Sequence, residues 1–232
     1  METRNVEISA LRTLRDGFLY LLIAVIVGIA TALAGLLSII AALGFMAAAP
    51  HRPFAGVIGV AVTLLVLSLV AVGVMLYAIF GKIRPSMRQL SEVDNGFRIS
   101  YTGTTLMLVG LIIVALGLIV IAAVSATVDS SPEAKGVTVL SGLALTLGVL
   151  LIGGIIAFVG NILTFVVSAF KLHSRYQNSL YMVAGILFII DILLMFLRFG
   201  GILTAVGYIL MYIALSDTIN KLSTAAATPA QT

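Results

Sequence analysis

SLYMVAGILFIIDILLMFLRFGGILTAVGYILMYIALS, residues 179–216, is an apolar run carrying one carboxylate, Asp191, and one guanidinium, Arg198. As one helix it would extend roughly 55 Å against about 30 Å of bilayer hydrocarbon, so it has to turn. Arg198-Phe199-Gly200-Gly201 is where a charge and two adjacent glycines interrupt it, and glycine supplies the dihedrals of a tight reversal. The reading is two antiparallel helices, 180–197 and 201–216, both near the short limit of a span. Asp191 then falls about 16 Å along the first helix, near the bilayer midplane, with Tyr208 at a similar depth on the return.

The rest of the chain has the same character. It is 61% hydrophobic and 9% charged, with a mean hydropathy of +1.23, where soluble domains carry about 25% charged residues. This predicts an all-α integral membrane bundle of six transmembrane helices in three consecutive hairpins. The spans are 18–49, 54–80, 104–128, 136–169, 180–197 and 201–216, within one transmembrane domain, 18–222. Residues 223–232 are expected to form a disordered polar tail. The apolar run from Phe18 to Ala49 is about twice the length of a signal-peptide core and is expected to stay as an anchor.

Residues 1–17 place Ile8, Leu11 and Leu14, with Phe18 just beyond, at spacings of three and four, and Arg4, Glu7, Arg12, Arg15 and Asp16 elsewhere on the wheel. That pattern predicts a cytoplasmic amphipathic lead-in lying in the membrane surface. The first span repeats small residues at Ala24, Gly28, Ala32 and at Ala34, Ser38, Ala42. Such spacing lets helices approach closely, inside one bundle or at a dimer seam.

The longest polar connection, GKIRPSMRQLSEVDNGFRISYTG from Gly81, sets Ile83, Met87, Leu90, Val93 and Phe97 at helical spacing. Pro85 suits a first turn, Arg88 and Glu92 form an i,i+4 pair, and Asn95-Gly96 suits a helix end. A short amphipathic helix flat on the membrane face is expected, covering the bundle's rim or docking a partner. Ser130-Ser131-Pro132-Glu133 has the cap, proline and early acid of a helix start, and Gly153-Gly154 is the expected place for a break in the long fourth helix. RISYTGTTLMLVGLIIVALG from Arg98 and RYQNSLYMVAGILFIIDILL from Arg175 share their order of residue types, with RDGFLYLLIAVIVG from Arg15 as a looser copy, so an internal repeat of parallel hairpins is expected.

Six crossings put Arg4, Arg12, Arg15, Lys82, Arg84, Arg88, Arg98, Lys171, Arg175 and Lys221 on one side and Arg52, Lys135 and Arg198 on the other. That asymmetry predicts a multi-pass protein of the plasma membrane with both termini cytoplasmic. Tyr20, Tyr77, Tyr101, Tyr176, Tyr181 and Tyr212 map to the cytoplasmic ends of spans, and only Tyr208 does not. Lys82, Arg84, Arg88, Arg98, Lys171 and Arg175 form a basic cytoplasmic rim. They follow sidedness rather than forming a groove-sized patch, so membrane lipid, a membrane-protein partner or a second copy is the implied partner, and nucleic acid is not.

No cysteine is present, and His51 and His173 fall on opposite sides of the membrane, so no metal site or other cofactor is implied. Catalytic signatures of hydrolases, metalloproteases and phosphate-binding loops are missing, and no enzyme activity is expected. Asp191 remains the candidate intramembrane site. A charged carboxylate at the bilayer centre costs about 2.5 to 3.5 kcal/mol, so it should face the interior and find partners. Arg198, seven residues on, and Tyr208, Asn161 and Thr164 are the candidates. Asp191 then serves either as a structural clamp in a membrane scaffold or as the proton- or cation-handling group of a small transporter or channel.

LRTLRDGFLYLLIA from Leu11, AIFGKIRPSMRQL from Ala78, FKLHSRYQNSLYMVAGILFII from Phe170 and VGYILMYIALSDTINKL from Val206 resemble an uncharacterised family of polytopic archaeal, crenarchaeal membrane proteins, defined as a domain of unknown function. The resemblance covers nearly the whole chain and implies an archaeal cell membrane. It transfers no catalytic residue, and neither Asp191 nor the Arg198-Phe199-Gly200-Gly201 turn belongs to it.

Overall fold

The computed structural model describes residues 2–48, 54–127, 135–197 and 200–227, and every regular element among them is helical. Helix α1, Glu2–Ala48, is followed by α2, Phe54–Leu76, which runs through a π-helical segment, Tyr77–Ile83, into α3, Arg84–Val93. One 3₁₀ turn, Asn95–Phe97, leads to α4, Arg98–Thr127. Helix α5, Lys135–Asn161, passes through a second π-helical segment, Ile162–Val166, into α6, Val167–Tyr176, and α7, Ser179–Phe196, and α8, Ile202–Ala227, follow. Among the described residues, five stretches are long and apolar enough to cross a membrane: Arg4–Ser38, Val62–Val93, Asn95–Val120, Thr146–Tyr176 and Ile202–Thr224. The apolar helix Ser179–Met195 is shorter. Helices suit such a chain because each satisfies its own backbone groups where no water is available.

The buried core lies at one end of the molecule. There Leu11, Leu14, Phe18 and Leu21 of α1 meet Ile79, Ile83, Met87 and Leu90 along α2 and α3, with Phe165, Ala169 and Leu172 leading into α6, and Tyr181, Phe188, Tyr208, Met211 and Leu215 from α7 and α8. At the other end, α1 pairs with α2 and α4 with α5. Both pairs leave large apolar side chains exposed, among them Leu37, Leu69, Ile119 and Leu151. A continuous apolar surface of this extent belongs against lipid or another apolar partner.

Three expectations are corrected. The lead-in 1–17 does not lie apart on a surface: α1 is continuous, and Ala10, Leu11 and Leu14 are fully buried. Its apolar stripe is spent on protein, against α3, α8 and the first π segment, because those elements offer a complementary apolar wall. The fourth span is not broken at Gly153-Gly154, where α5 is regular, and its irregularity comes at Ile162–Val166. The tail, expected from Ser223, is helical through Ala227. The Ser130–Glu133 helix start, the loop holding His51 and Arg52, and Arg198 fall outside the described residues.

Glycine explains why the closest pair is so close. Gly103 and Gly110 on α4, and Gly153 and Gly160 on α5, repeat at seven residues and so share one face across two turns. A Cβ on Gly110 would strike the backbone of Ala157, and one on Gly160 the backbone of Met107. Small side chains permit such contact where lipid supplies no hydrophobic drive for association. Each π segment also faces a glycine: Gly17 lies where a Cβ would be 2.7 Å from Ile83, and Gly103 where it would be 2.6 Å from Leu163.

Candidate functional site

Asp191 stands five residues before the end of α7, and the chain reverses after it through Leu197, Gly200 and Gly201. Gly201 has φ of 108°, a left-handed conformation open to glycine, and α8 begins at the next residue. This folds the first turn of α8 onto the Asp191 carboxylate, which is 6% exposed. The Gly201 amide donates to Oδ1 at 2.9 Å and Oδ2 at 2.8 Å, the Leu203 amide donates to Oδ1 at 3.1 Å, and the Thr204 hydroxyl donates to Oδ2 at 2.6 Å.

Asp191 is therefore the cap of α8, delivered from the neighbouring helix. A helix N-terminus presents N–H groups without intrahelical partners and a partial positive charge, both of which a carboxylate answers. Three donors meet the two oxygens: the Gly201 amide is shared between both, the Leu203 amide goes to Oδ1 and the Thr204 hydroxyl to Oδ2, so each oxygen accepts from two directions. Most of its acceptor capacity is turned toward its own chain.

The other expected partners serve elsewhere. Tyr208 is buried in an aromatic cluster, with its ring 5.9 Å from Phe18, 5.6 Å from Phe165 and 5.7 Å from Phe188. Thr164 donates to the Gly160 carbonyl at 2.7 Å, and Asn161 is the half-buried last residue of α5. None of the four bonds to Asp191 comes from these three. Leu203 and Thr204 were missed in the sequence; a threonine three residues beyond a glycine pair was the available signal. Among the described residues no cluster of three potential metal ligands occurs.

The basic rim divides into two kinds of residue. Arg175, on α6, is a clamp: its Nε and Nη2 donate to Glu7 Oε1 at 2.9 and 2.8 Å, and its Nη1 to Asp94 Oδ2 at 2.8 Å. Tyr176 donates to the same Glu7 oxygen at 2.6 Å, and Asp94 also accepts the Gly96 amide at 2.8 Å. That amide, then Arg175, holds the Asp94 carboxyl below the ordinary aspartate range. One guanidinium thus joins α1, the turn before α4, and α6. Arg88 pairs with Glu92 at 3.6 Å as its spacing predicted. Lys82, Arg84, Arg98 and Lys171 form no ion pair with a described carboxylate.

Further ties close the same end. Arg4 donates to the Leu222 carbonyl at 2.8 Å, Asn178 to Asp217 at 3.1 Å, and the Tyr181 and Thr218 hydroxyls meet at 2.9 Å. Asn178 also caps α7 by accepting the Leu180 amide at 3.1 Å. Tyr20 packs edge-on against Tyr77 at 5.2 Å.

No curated protein and no solved structure matches the chain. The family described as "Protein of unknown function (DUF973)" matches residues 7–232, which span the apolar helices, the Arg175 clamp and the capped turn at Asp191, and the chain belongs to that family.

Proposed function

We propose that this protein is a non-catalytic membrane scaffold: six crossings in three consecutive hairpins, both termini cytoplasmic, in a plasma membrane of archaeal type. The engagement of Asp191 by the first turn of α8 carries this reading. The one carboxylate deep in an apolar stretch is engaged on both oxygens in capping α8, which is the work of a structural clamp and disfavours a role in relaying a proton or stripping a cation. The pairing of α1 with α2, α4 with α5 and α7 with α8 supports the hairpin plan. The two π segments, which continue α2 and α5 and are seated on a glycine of α1 and of α4 respectively, support a repeat. At about 27 Å, α7 is at the short limit for its crossing.

Because the chain has no cysteine, single cysteines report sidedness directly. An impermeant maleimide applied to intact cells should label a cysteine at Ser131 and spare one at Ala230; the reverse ends the proposed orientation. Reconstituted protein should show no proton or cation flux above empty liposomes. Flux abolished by Asp191→Asn would replace the scaffold with a transporter.

A further inference from the structure

At the end where the basic rim lies, every carboxylate whose side chain is described is already engaged within the protein. Glu7 and Asp94 are held by Arg175, Asp16 by Arg15, Glu92 by Arg88, and Asp217 by Lys221 and Asn178. Lys171 lies against Gly96 and spends part of its field on Asp94. Arg12, Lys82, Arg84 and Arg98 have no such partner among the described residues, so this end carries positive charge that the fold does not neutralise.

One of these cations is held against an aromatic ring, and a second lies one helical turn before that ring in the chain. The Arg84 guanidinium stacks over Tyr101, 5.9 Å from its centroid. Arg98 is exposed and lies three residues before Tyr101, on the same face of the first turn of α4. A stacked guanidinium is restrained in direction while its N–H fork stays free to take two oxygens of a phosphate. Met87 and Leu90, buried in the core, fix the helix that carries Arg84. Ile99, next to Arg98 in the chain, is 49% exposed, and Tyr77, seven residues before Arg84 on the same helical run, is 51% exposed, so exposed apolar side chains occur on both helical runs that carry the charges.

We propose that Arg84, Tyr101 and Arg98 form a seat for the phosphate of an anionic membrane lipid. The charge selects a phosphate; the exposed Ile99 and Tyr77 select one attached to acyl chains over a free phosphate or a nucleic acid, which have no apolar part. The seat deepens the membrane reading given above and rests on it.

The test uses the full chain in vesicles of phosphatidylcholine mixed with a minor fraction of phosphatidylglycerol, extracted gently, with the co-purifying lipid measured. Wild type should retain phosphatidylglycerol in excess of its share. Arg84→Gln and Arg98→Gln should each lower that excess by roughly fivefold, the scale of one basic residue at an anionic surface. Arg88→Gln and Lys221→Gln, whose partners are internal, should leave it unchanged. Arg84→Lys with Arg98→Lys keeps the charge and loses the fork, so retention between wild type and the glutamine variants is expected.

Retention of both lipids in their input ratio, or an excess that survives Arg84→Gln with Arg98→Gln, overturns the seat. Displacement of the lipid by inorganic phosphate at matched ionic strength overturns its lipid identity. If alkaline carbonate washes the wild type from the vesicles, the membrane reading falls and the seat with it. Firm integration without enrichment removes the seat alone.

Discussion

Arg175 and Glu7, 168 positions apart in the chain, meet through two guanidinium nitrogens at 2.9 and 2.8 Å. The pair fixes the start of α1 against the end of α6, and the third contact, to Asp94, adds the turn before α4. Glu7 is 13% exposed, so its charge has little water to fall back on. Arg175→Gln should therefore destabilise the protein by about 2 kcal/mol, the scale for hydrogen bonds to charged groups. Arg175→Lys should recover only part, since an ammonium lacks the fork. In thermal denaturation of detergent-solubilised protein, the double variant Glu7→Gln with Arg175→Gln should lose less than the sum of the singles. Strict additivity would show that the two side chains do not act together.

Acid should act through Asp94. Its carboxyl lies below the ordinary value of 3.8 because the charged form accepts the Gly96 amide and sits beside Arg175. A depressed folded-state value means that the stabilisation is full above 3.8 and is lost as pH falls through the lower folded value. Wild type and Asp94→Asn should differ in thermal midpoint at neutral pH and converge in acid below that range. A gap that persists there would mean that Asp94 contributes through packing rather than charge.

Glycine substitutions should separate contact from open surface. Gly110→Ala and Gly160→Ala drive a methyl into the facing backbone and should cost about 1–3 kcal/mol by overpacking. Gly148 and Gly154 have nothing within 4 Å of the added carbon, so alanine there should stabilise by about 0.4–1 kcal/mol by restricting the unfolded chain. Thermal midpoints of the four variants decide the matter. Equal losses at all four would mean that the α4–α5 contact is not what these glycines serve.

The apolar runs were legible because lipid demands length and composition, which need no knowledge of partners. The Arg88–Glu92 pair was legible for the same local reason. The face of α1 was not: Ile8, Leu11 and Leu14 make the same stripe whether the wall they meet is lipid or the side chains of Ile83, Met87 and Leu90. The Arg175 clamp was hidden too, since pairing across 168 residues leaves no spacing to count. Asp191 stood out as an expensive residue, but its depth along a helix says nothing of what folds over it. Its donors are chiefly backbone amides, which every residue but proline carries, so no side-chain pattern marked them.

The capped turn should fail in a graded way that distinguishes a clamp from an ion site. Asp191→Asn replaces one acceptor oxygen with an NH₂ that faces the Gly201 and Leu203 amides or the Thr204 hydroxyl, and should cost about 1–3 kcal/mol as donors lose their partner. Thr204→Val removes a single donor and should cost less, while Thr204→Ser keeps the hydroxyl and should stay near wild type. Gly201→Ala meets no atom within 4 Å, yet it forces an L side chain into φ of 108° and should cost about 1–2 kcal/mol through backbone strain alone. Hydrogen exchange should register the damage locally, with faster exchange of the Gly201 and Leu203 amides in the Asp191 and Thr204→Val variants, because those amides owe their protection to the carboxylate. Unchanged exchange at these two amides would mean that Asp191 does not hold the turn, and its place deep in an apolar helix would then require another ligand.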